Sequence, residues 1–327
     1  MTQKRILGIG SALVDILTQI EDESILTRLN LPKGSMQYVD AETSVKIGKD
    51  LSAYQSKMAA GGSAANTVSG LARLGVDAGF LSKVGKDDVG RFFEQEMDKS
   101  KVKPLLLKSE TPSGRVQALV TKDGERTFAT CLGASAELSK EDINPELFDG
   151  WDLFYIEGYL VANPTMLEKA IHTAKEKGLK TAIDLASYNV VEENREFLLR
   201  LVEDQIDIVF ANEKEAKALT GLEPEEALLF LASKCDIAVV KVGAKGSLIQ
   251  CKDEIVRIGK VGDIVVDTTG AGDLWAAGFL AGWSKCESLK KCGMMGSILA
   301  ANIIQVVGAK MDDERWNGIY KAIAAIH

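Results

Sequence analysis

Histidine is almost missing from this chain: His172 and His327 are the only two. Catalytic triads built on imidazole and His-rich zinc sites are thereby nearly excluded, and His172, on a helix-like stretch, reads as structural. Cysteine is scarce as well. Cys131, Cys235, Cys251, Cys286 and Cys292 form no CxxC pair, and an odd count suits reduced thiols. No apolar run approaches the roughly 18 residues that a membrane span needs. The opening stretch MTQKRILGIGSALVDIL passes straight into a glycine-broken strand pattern instead of an apolar leader core. A cytoplasmic protein that does not engage a membrane is the expectation. Positive charge is also in deficit, with 39 Lys and Arg against 47 Asp and Glu and a formal net charge of −8. No nucleic-acid surface is expected, so any anionic ligand must be held by local features.

Two familiar phosphate fingerprints are absent. The nearest approach to GxxxxGK[ST], Gly243-Ala244-Lys245-Gly246-Ser247, has the wrong spacing. Gly8-Ile9-Gly10 runs on to Leu13 where a dinucleotide fingerprint needs its third glycine. What is present is an ordinary globular composition, 46% hydrophobic and 26% charged, in 327 residues. That length exceeds the size of a usual single core, so a large domain with an appendage, or two domains, is expected.

Strand-like runs at residues 5–10, 78–83, 153–157, 180–184, 206–211 and 237–242 alternate with helical spacing at 64–74, 89–99, 165–177, 194–203 and 213–219. This alternation predicts an α/β fold, a mostly parallel Rossmann-like sheet with helices on both faces and right-handed crossovers. Two stretches break the rhythm. Residues 111–131 read as two short strands around an Asp123-Gly124 turn, and residues 14–40 hold strand-prone pieces interrupted by Pro32 and Gly34. Insertions at about residues 14–40 and about 105–132 are expected to leave the main sheet as a small β-lid over the strands' carboxyl ends, where ligands of open α/β sheets bind.

The most telling segment is residues 264–282, IVVDTTGAGDLWAAGFLAG. Its order reads as a buried strand, two threonines, a Gly-Ala-Gly turn and a carboxylate opening a helix. Gly270 and Gly272 let an anion approach backbone N–H groups at the positive end of the helix dipole. Asp273 would repel a phosphate there unless its task is to accept a proton, although Asp at a helix start also serves as a cap. Residues 61–67, GGSAANT, offer backbone N–H groups at Gly61 and Gly62 and a donor-acceptor side chain at Asn66, suited to sugar hydroxyls; Asp15 adds an acceptor. The same small residues equally allow close helix packing. Asn212-Glu213-Lys214-Glu215 has the form of a capping box and also of a holder for hydrated Mg²⁺. Residues 239–246, VVKVGAKG, are a strand running into a glycine turn that either flanks a nucleotide or simply turns.

Taken together, GIGSALVDI, GGSAANT, FLSKVGKDDVGRFF, DGERT, ANEKEA and DTTGAGD resemble the ribokinase-like PfkB family of carbohydrate and nucleoside kinases, in family order from Gly8 to Gly308. The resemblance implies one kinase domain over residues 1–327, with ATP and Mg²⁺ as cofactors. It makes Asp273 the base and Gly270, Ala271 and Gly272 the anion hole. Ser11, Asp15, Gly61, Gly62 and Asn66 would hold the acceptor, and Asn212 with Glu215 the magnesium. Lys241, Gly243, Gly246, Thr268 and Asn302 would flank the nucleotide, and Arg126 would swing onto the phosphates as the lid closes. Asp267 and the carbonyls after Ile304 fall where some members bind a monovalent cation such as K⁺. Residues 33–40, KGSMQYVD, and 154–161, FYIEGYLV, are most similar to the adenosine-kinase branch, in which Tyr159 or Tyr38 would stack on a base. Ser11 departs from the Asn common there, and Glu157 has no assigned role. A nucleoside such as adenosine and a simple sugar such as ribose or fructose both fit, in a monomer or a homodimer. A ligand-binding protein on the same scaffold, without catalysis, is the reading from another class.

Overall fold

A computed structural model describes residues 3–122 and 125–326; the Asp123-Gly124 turn lies outside the described residues. The strands are, in chain order, β1 (Ile6–Ile9), β2 (Leu13–Gln19), β3 (Met36–Tyr38), β4 (Ser56–Gly61), β5 (Ala78–Gly85), β6 (Val102–Ser109) and β7 (Gly114–Val120). They continue with β8 (Arg126–Cys131), β9 (Leu153–Glu157), β10 (Lys180–Asp184), β11 (Ile208–Asn212), β12 (Ile237–Lys241), β13 (Ser247–Cys251) and β14 (Glu254–Ile258). β1 and β9 are short apolar runs buried on both faces, as central parallel strands covered by helices must be.

The main sheet has nine strands in the order β14-β13-β12-β11-β10-β9-β1-β5-β6. Pairing is parallel from β12 through β6, and the β13–β14 hairpin adds an antiparallel edge. β1 has β5 on one side and β9 on the other, so strand order reverses here and a crevice opens between the carboxyl ends of β1 and β9. One face of the sheet is covered by the helices Ser63–Arg73, Asp88–Lys99, Ala271–Ser284 and Leu289–Ile303, around Phe80, Tyr155, Phe210, Trp275 and Phe279. The other face carries the helices Pro164–Glu176, Arg195–Asp204, Glu213–Thr220 and Pro224–Ala232.

A second sheet of five strands has the order β3-β8-β7-β2-β4. Leu119 and Ala129 turn towards Ile47 of the helix Ala41–Asp50 and Leu51 just past its end, and this helix closes one face. The opposite parity, set by strand register, gathers Asp15, Leu17, Met36, Tyr38, Val116, Ala118, Arg126 and Phe128 on the other face. That face is open, with Met36 53% and Tyr38 68% exposed. β4 belongs to this sheet and delivers the chain directly into the helix Ser63–Arg73.

Two expectations need correction. Residues 105–109 do not leave the main sheet: they complete β6, which pairs with β5 along its length. Alternation is the reason, since Leu105 and Leu107 pack into one core layer and Leu106 into the other. Residues 264–266 form no strand, and Ile264, Val265 and Val266 are 62%, 60% and 58% exposed. The hairpin β13–β14 already forms the edge, and the N–H groups of Val266 and Asp267 turn instead to the carbonyl of Ile304.

Phe210 lies at 5.5 Å from Phe279, 6.1 Å from Trp275 and 6.4 Å from Tyr155, centroid to centroid. Phe210→Ala is expected to destabilise the fold by about 3–5 kcal/mol, read from the midpoint of a urea unfolding curve.

Candidate active site

The helix Ala271–Ser284 begins at Gly270, whose φ of 75° is a left-handed conformation that suits glycine. A Cβ there would also come within 2.8 Å of Cβ of Ala309. No side chain caps the first turn; the N–H of Ala271 goes to the carbonyl of Thr268, and those of Gly272 and Asp273 are left for a ligand. Asp273 does not cap its own helix. Its Oδ1 accepts from Ser63 Oγ at 2.7 Å and its Oδ2 from Asn66 Nδ2 at 3.0 Å, both on the helix Ser63–Arg73. The two helices come close enough for this because Gly70 faces Ala277, whose Cβ would lie 2.8 Å from a Cβ at position 70. Burial lifts the pKa of Asp273 to about 6; Asn66 and Ser63 oppose the rise and Asp184 adds to it.

The helix Ser63–Arg73 also brings polar groups to the crevice beside Asp273. Asn66 is 7% exposed, and while its Nδ2 is committed to Asp273, its Oδ1 is buried without a partner. Such an orphan acceptor calls for a donor such as a substrate hydroxyl. Asp15 lies against Gly61, where a Cβ would come within 2.6 Å of its Oδ2. Burial raises its pKa and Lys310 opposes the rise. Gly62, at φ 100°, closes on the carbonyl of Ser11, so the small residues of GGSAANT serve close packing here.

Asp184, Asn212 and Lys241 end β10, β11 and β12; Asn212 is in register with Lys241, and Asp184 with Phe210, two residues before Asn212. Lys241 Nζ donates to Asp184 Oδ2 at 2.9 Å and stands 3.2 Å from where a Cβ on Gly272 would be. Burial works against its charge, but Asp184 and Glu215 outweigh burial and raise its pKa. Glu215 closes the capping box: its Oε2 accepts from the Asn212 N–H at 2.7 Å and its Oε1 from Asn212 Nδ2 at 2.6 Å. Burial, then the neighbouring Asp184, carries the Glu215 pKa to about 7. Asp184, Glu215 and Asp273 thus act together on one buried ammonium, a surplus of negative charge that favours a further cation. Among the described residues no group of three or more His, Cys, Asp or Glu could hold a metal ion by itself. A hydrated Mg²⁺, which keeps several waters and takes one or two carboxylates plus phosphate oxygens, fits this donor set.

The remaining candidates are less directly joined. Gly243 and Gly246 form the turn after β12, where Gly246 has φ 96° and packs on the carbonyl of Ile258. Thr268 is exposed and its carbonyl accepts the N–H of Ala271 at 3.1 Å. Asn302 bonds back to Ile298 of its own helix at 2.9 Å. Arg126 Nη1 reaches across from the second sheet to Asp267 Oδ2 at 3.2 Å. Asp267 also accepts from the N–H of Gly308 at 2.9 Å and from Thr269 Oγ1 at 2.7 Å. Despite partial burial, these donors hold its carboxyl well below the usual range. Tyr159 is 43% exposed, and burial pushes its phenol up to about 12, with Glu157 and Tyr38 adding.

Residue type and spacing do not single out Ser63 or Asp184 in the sequence. Asp184 carries a signal in hindsight, since it ends the run KTAID at a strand's carboxyl end. Ser63 carries none, because its partner is 210 residues away.

Residues 35–315 match the family described as pfkB family carbohydrate kinase. The crystal structure of adenosine kinase from Sinorhizobium meliloti is 34% identical, with a TM-score of 0.82, over 98% of this chain and 100% of that one. A probable sugar kinase from Rhizobium etli CFN 42 is 32% identical, with a TM-score of 0.83, over 98% and 99% of the two chains. The adenosine kinase of Saccharomyces cerevisiae is 28% identical over 94% of this chain and 96% of its own length.

The Asp273 carboxyl carbon, followed by NMR, is expected to titrate at about 6. Ser63→Ala removes a donor to the ionised form, so the midpoint should move to higher pH.

Proposed function

The chain belongs to the pfkB family of carbohydrate kinases, and on that ground we propose that it transfers the γ-phosphoryl group of ATP to the hydroxymethyl group of a nucleoside, with Asp273 as the base. The observation that carries this reading is the pairing of Asp273 with an uncapped helix start: a proton acceptor stands within one turn of N–H groups free to stabilise a moving anion. Phosphoryl transfer passes through a loose transition state in which orientation and charge neutralisation matter more than a strong base. A carboxylate with a pKa of about 6 is ionised at neutral pH and still able to take a proton.

Each group then has a task. The N–H groups of Gly270 and Gly272 and the ammonium of Lys241 face the transferred group, while that of Ala271 stays with the Thr268 carbonyl. Asn66 Oδ1 and Asp15 accept from the sugar hydroxyls. Asn212, Glu215 and Asp184 would hold a hydrated Mg²⁺, which would supply neutralisation of the phosphate charge. The second sheet acts as a lid that excludes water, and Arg126 exchanges Asp267 for phosphate as it closes.

A nucleoside is favoured over a bare sugar by the open face of the second sheet. Leu17, Met36, Tyr38, Val116 and Phe128 offer an apolar surface of a kind that a planar base would cover and a furanose would leave wet. The second reading, a simple sugar such as ribose or fructose, draws on the probable sugar kinase at 32% identity.

ADP release measured across adenosine, other nucleosides, ribose and fructose separates the two. The highest kcat/KM is expected with a nucleoside, and no release with any acceptor would overturn the kinase assignment. Asp273→Asn should lower kcat by about 10²–10⁴-fold, with nucleotide Kd changed little. Tyr38→Ala should raise the nucleoside KM about threefold to tenfold and leave any turnover of ribose unchanged.

A further inference from the structure

Glu157 closes β9 at the point where strand order reverses, and it is 3% exposed. Its Oε1 accepts from the N–H of Ser11 at 3.3 Å and its Oε2 from the N–H of Ala64 at 3.0 Å. Ala64 is the second residue of the helix Ser63–Arg73. The N-cap of that helix is Gly62, which has no side chain to offer and makes no cap bond. The task of a capping residue thus passes to a carboxylate on a different element, attracted to the positive end of the helix dipole. Room for it is made at Gly10, where a Cβ would collide with Glu157 Oε2.

We propose that Glu157 is a positioning residue for Asp273: it ties the first turn of the helix Ser63–Arg73 to the loop after β1 and so fixes Ser63 Oγ and Asn66 Nδ2, the two donors that aim the Asp273 carboxylate. The proposal rests on the reading of Asp273 as base. Position in this chain of contacts matters because Ser63 directly precedes Ala64, and Asn66 lies two residues beyond it. A shift of that turn moves both donors together, and a misplacement of about 1 Å costs on the order of 10²-fold in rate. Both oxygens of Glu157 act as acceptors, so the ionised form satisfies the two amides, and its charge is met by backbone N–H groups instead of a cation. The groups facing it are Asp273 from the helix Ala271–Ser284, Tyr155 from its own strand and Tyr159 from the segment that follows. Burial, with Asp273 adding, pushes its carboxyl up to about 7, above the value of about 6 for Asp273, so on acidification Glu157 takes its proton first and sets the start of the acid limb.

The test compares Glu157→Gln, Glu157→Asp and Asp273→Asn with the unaltered protein, all normalised to nucleotide-binding sites. In Glu157→Gln the amide NH₂ opposes one backbone N–H and the charge is gone. Its kcat should fall about tenfold to a hundredfold with the KM for ATP within about twofold, and the acid limb of kcat/KM should move to lower pH. Glu157→Asp keeps the charge but shortens the reach, so kcat should fall while the acid limb stays. Loss of thermal stability in either variant, with kcat per site and the pH profile unaltered, would overturn the proposal. Should Glu157→Gln fail to fold, unaltered kcat in Glu157→Asp would overturn it equally. Normal turnover by Asp273→Asn would instead remove the base assignment itself, so the two failures are distinct.

Discussion

One carboxylate joins two helix starts, and most of this architecture can be understood as what that junction requires. Asp273 sits in the first turn of one helix and draws its two hydrogen bonds from the first turn of another. Two positive dipole ends therefore converge on a single negative group. Such a meeting demands that the helices cross closely and that both chains enter through turns with no bulk. Gly62 and Gly270, each at positive φ, meet the second demand, and Gly70 against Ala277 meets the first. The sheet supplies the rest, because the reversal of strand order beside β1 leaves the crevice in which these helix starts can face a ligand.

The electrostatics follow from the same confinement. Asp273, Glu157 and Glu215 are all pulled towards neutral pH by burial, and each raises or is raised by a neighbouring carboxylate. Lys241 is the buried cation among them and is held to its charge by Asp184 and Glu215. A protein interior tolerates such a concentration of acid when the missing positive charge arrives with the ligand. A metal-bound triphosphate brings cation and anion at once. It suits a pocket that has acids on one flank and free N–H groups on the other.

Much of the main sheet was legible because its signals are local. A run such as residues 153–157 is a complete strand by itself, and residues 213–219 fall within a helix that runs from Glu213 to Thr220. The helix start after DTTGAG was legible for the same reason, as glycine and carboxylate sit within a few residues. Failures came where the outcome depends on distant neighbours. Residues 264–266 have the composition of a buried strand, but a strand needs a free sheet edge beside it, and the β13–β14 hairpin takes that place. Residues 105–109 directly precede a hairpin in sequence, but their partner is β5, set by an alternation that serves two core layers at once. Within the site, Asp273 and Asn66 could be singled out by type and spacing. That Ser63 would share the work, or that Arg126 would face Asp267 across 141 residues, is a property of the assembled fold alone.

Gly70 lies about one turn beyond Asn66 on the same helix and brings no side chain to the site, yet it sets the gap across which Ser63 and Asn66 reach Asp273. A methyl group there would meet Ala277 and Leu274 and wedge the two helices apart. The proton affinity of Asp273 is therefore adjustable from the hydrophobic interior, by the thickness of a contact between two apolar helix faces.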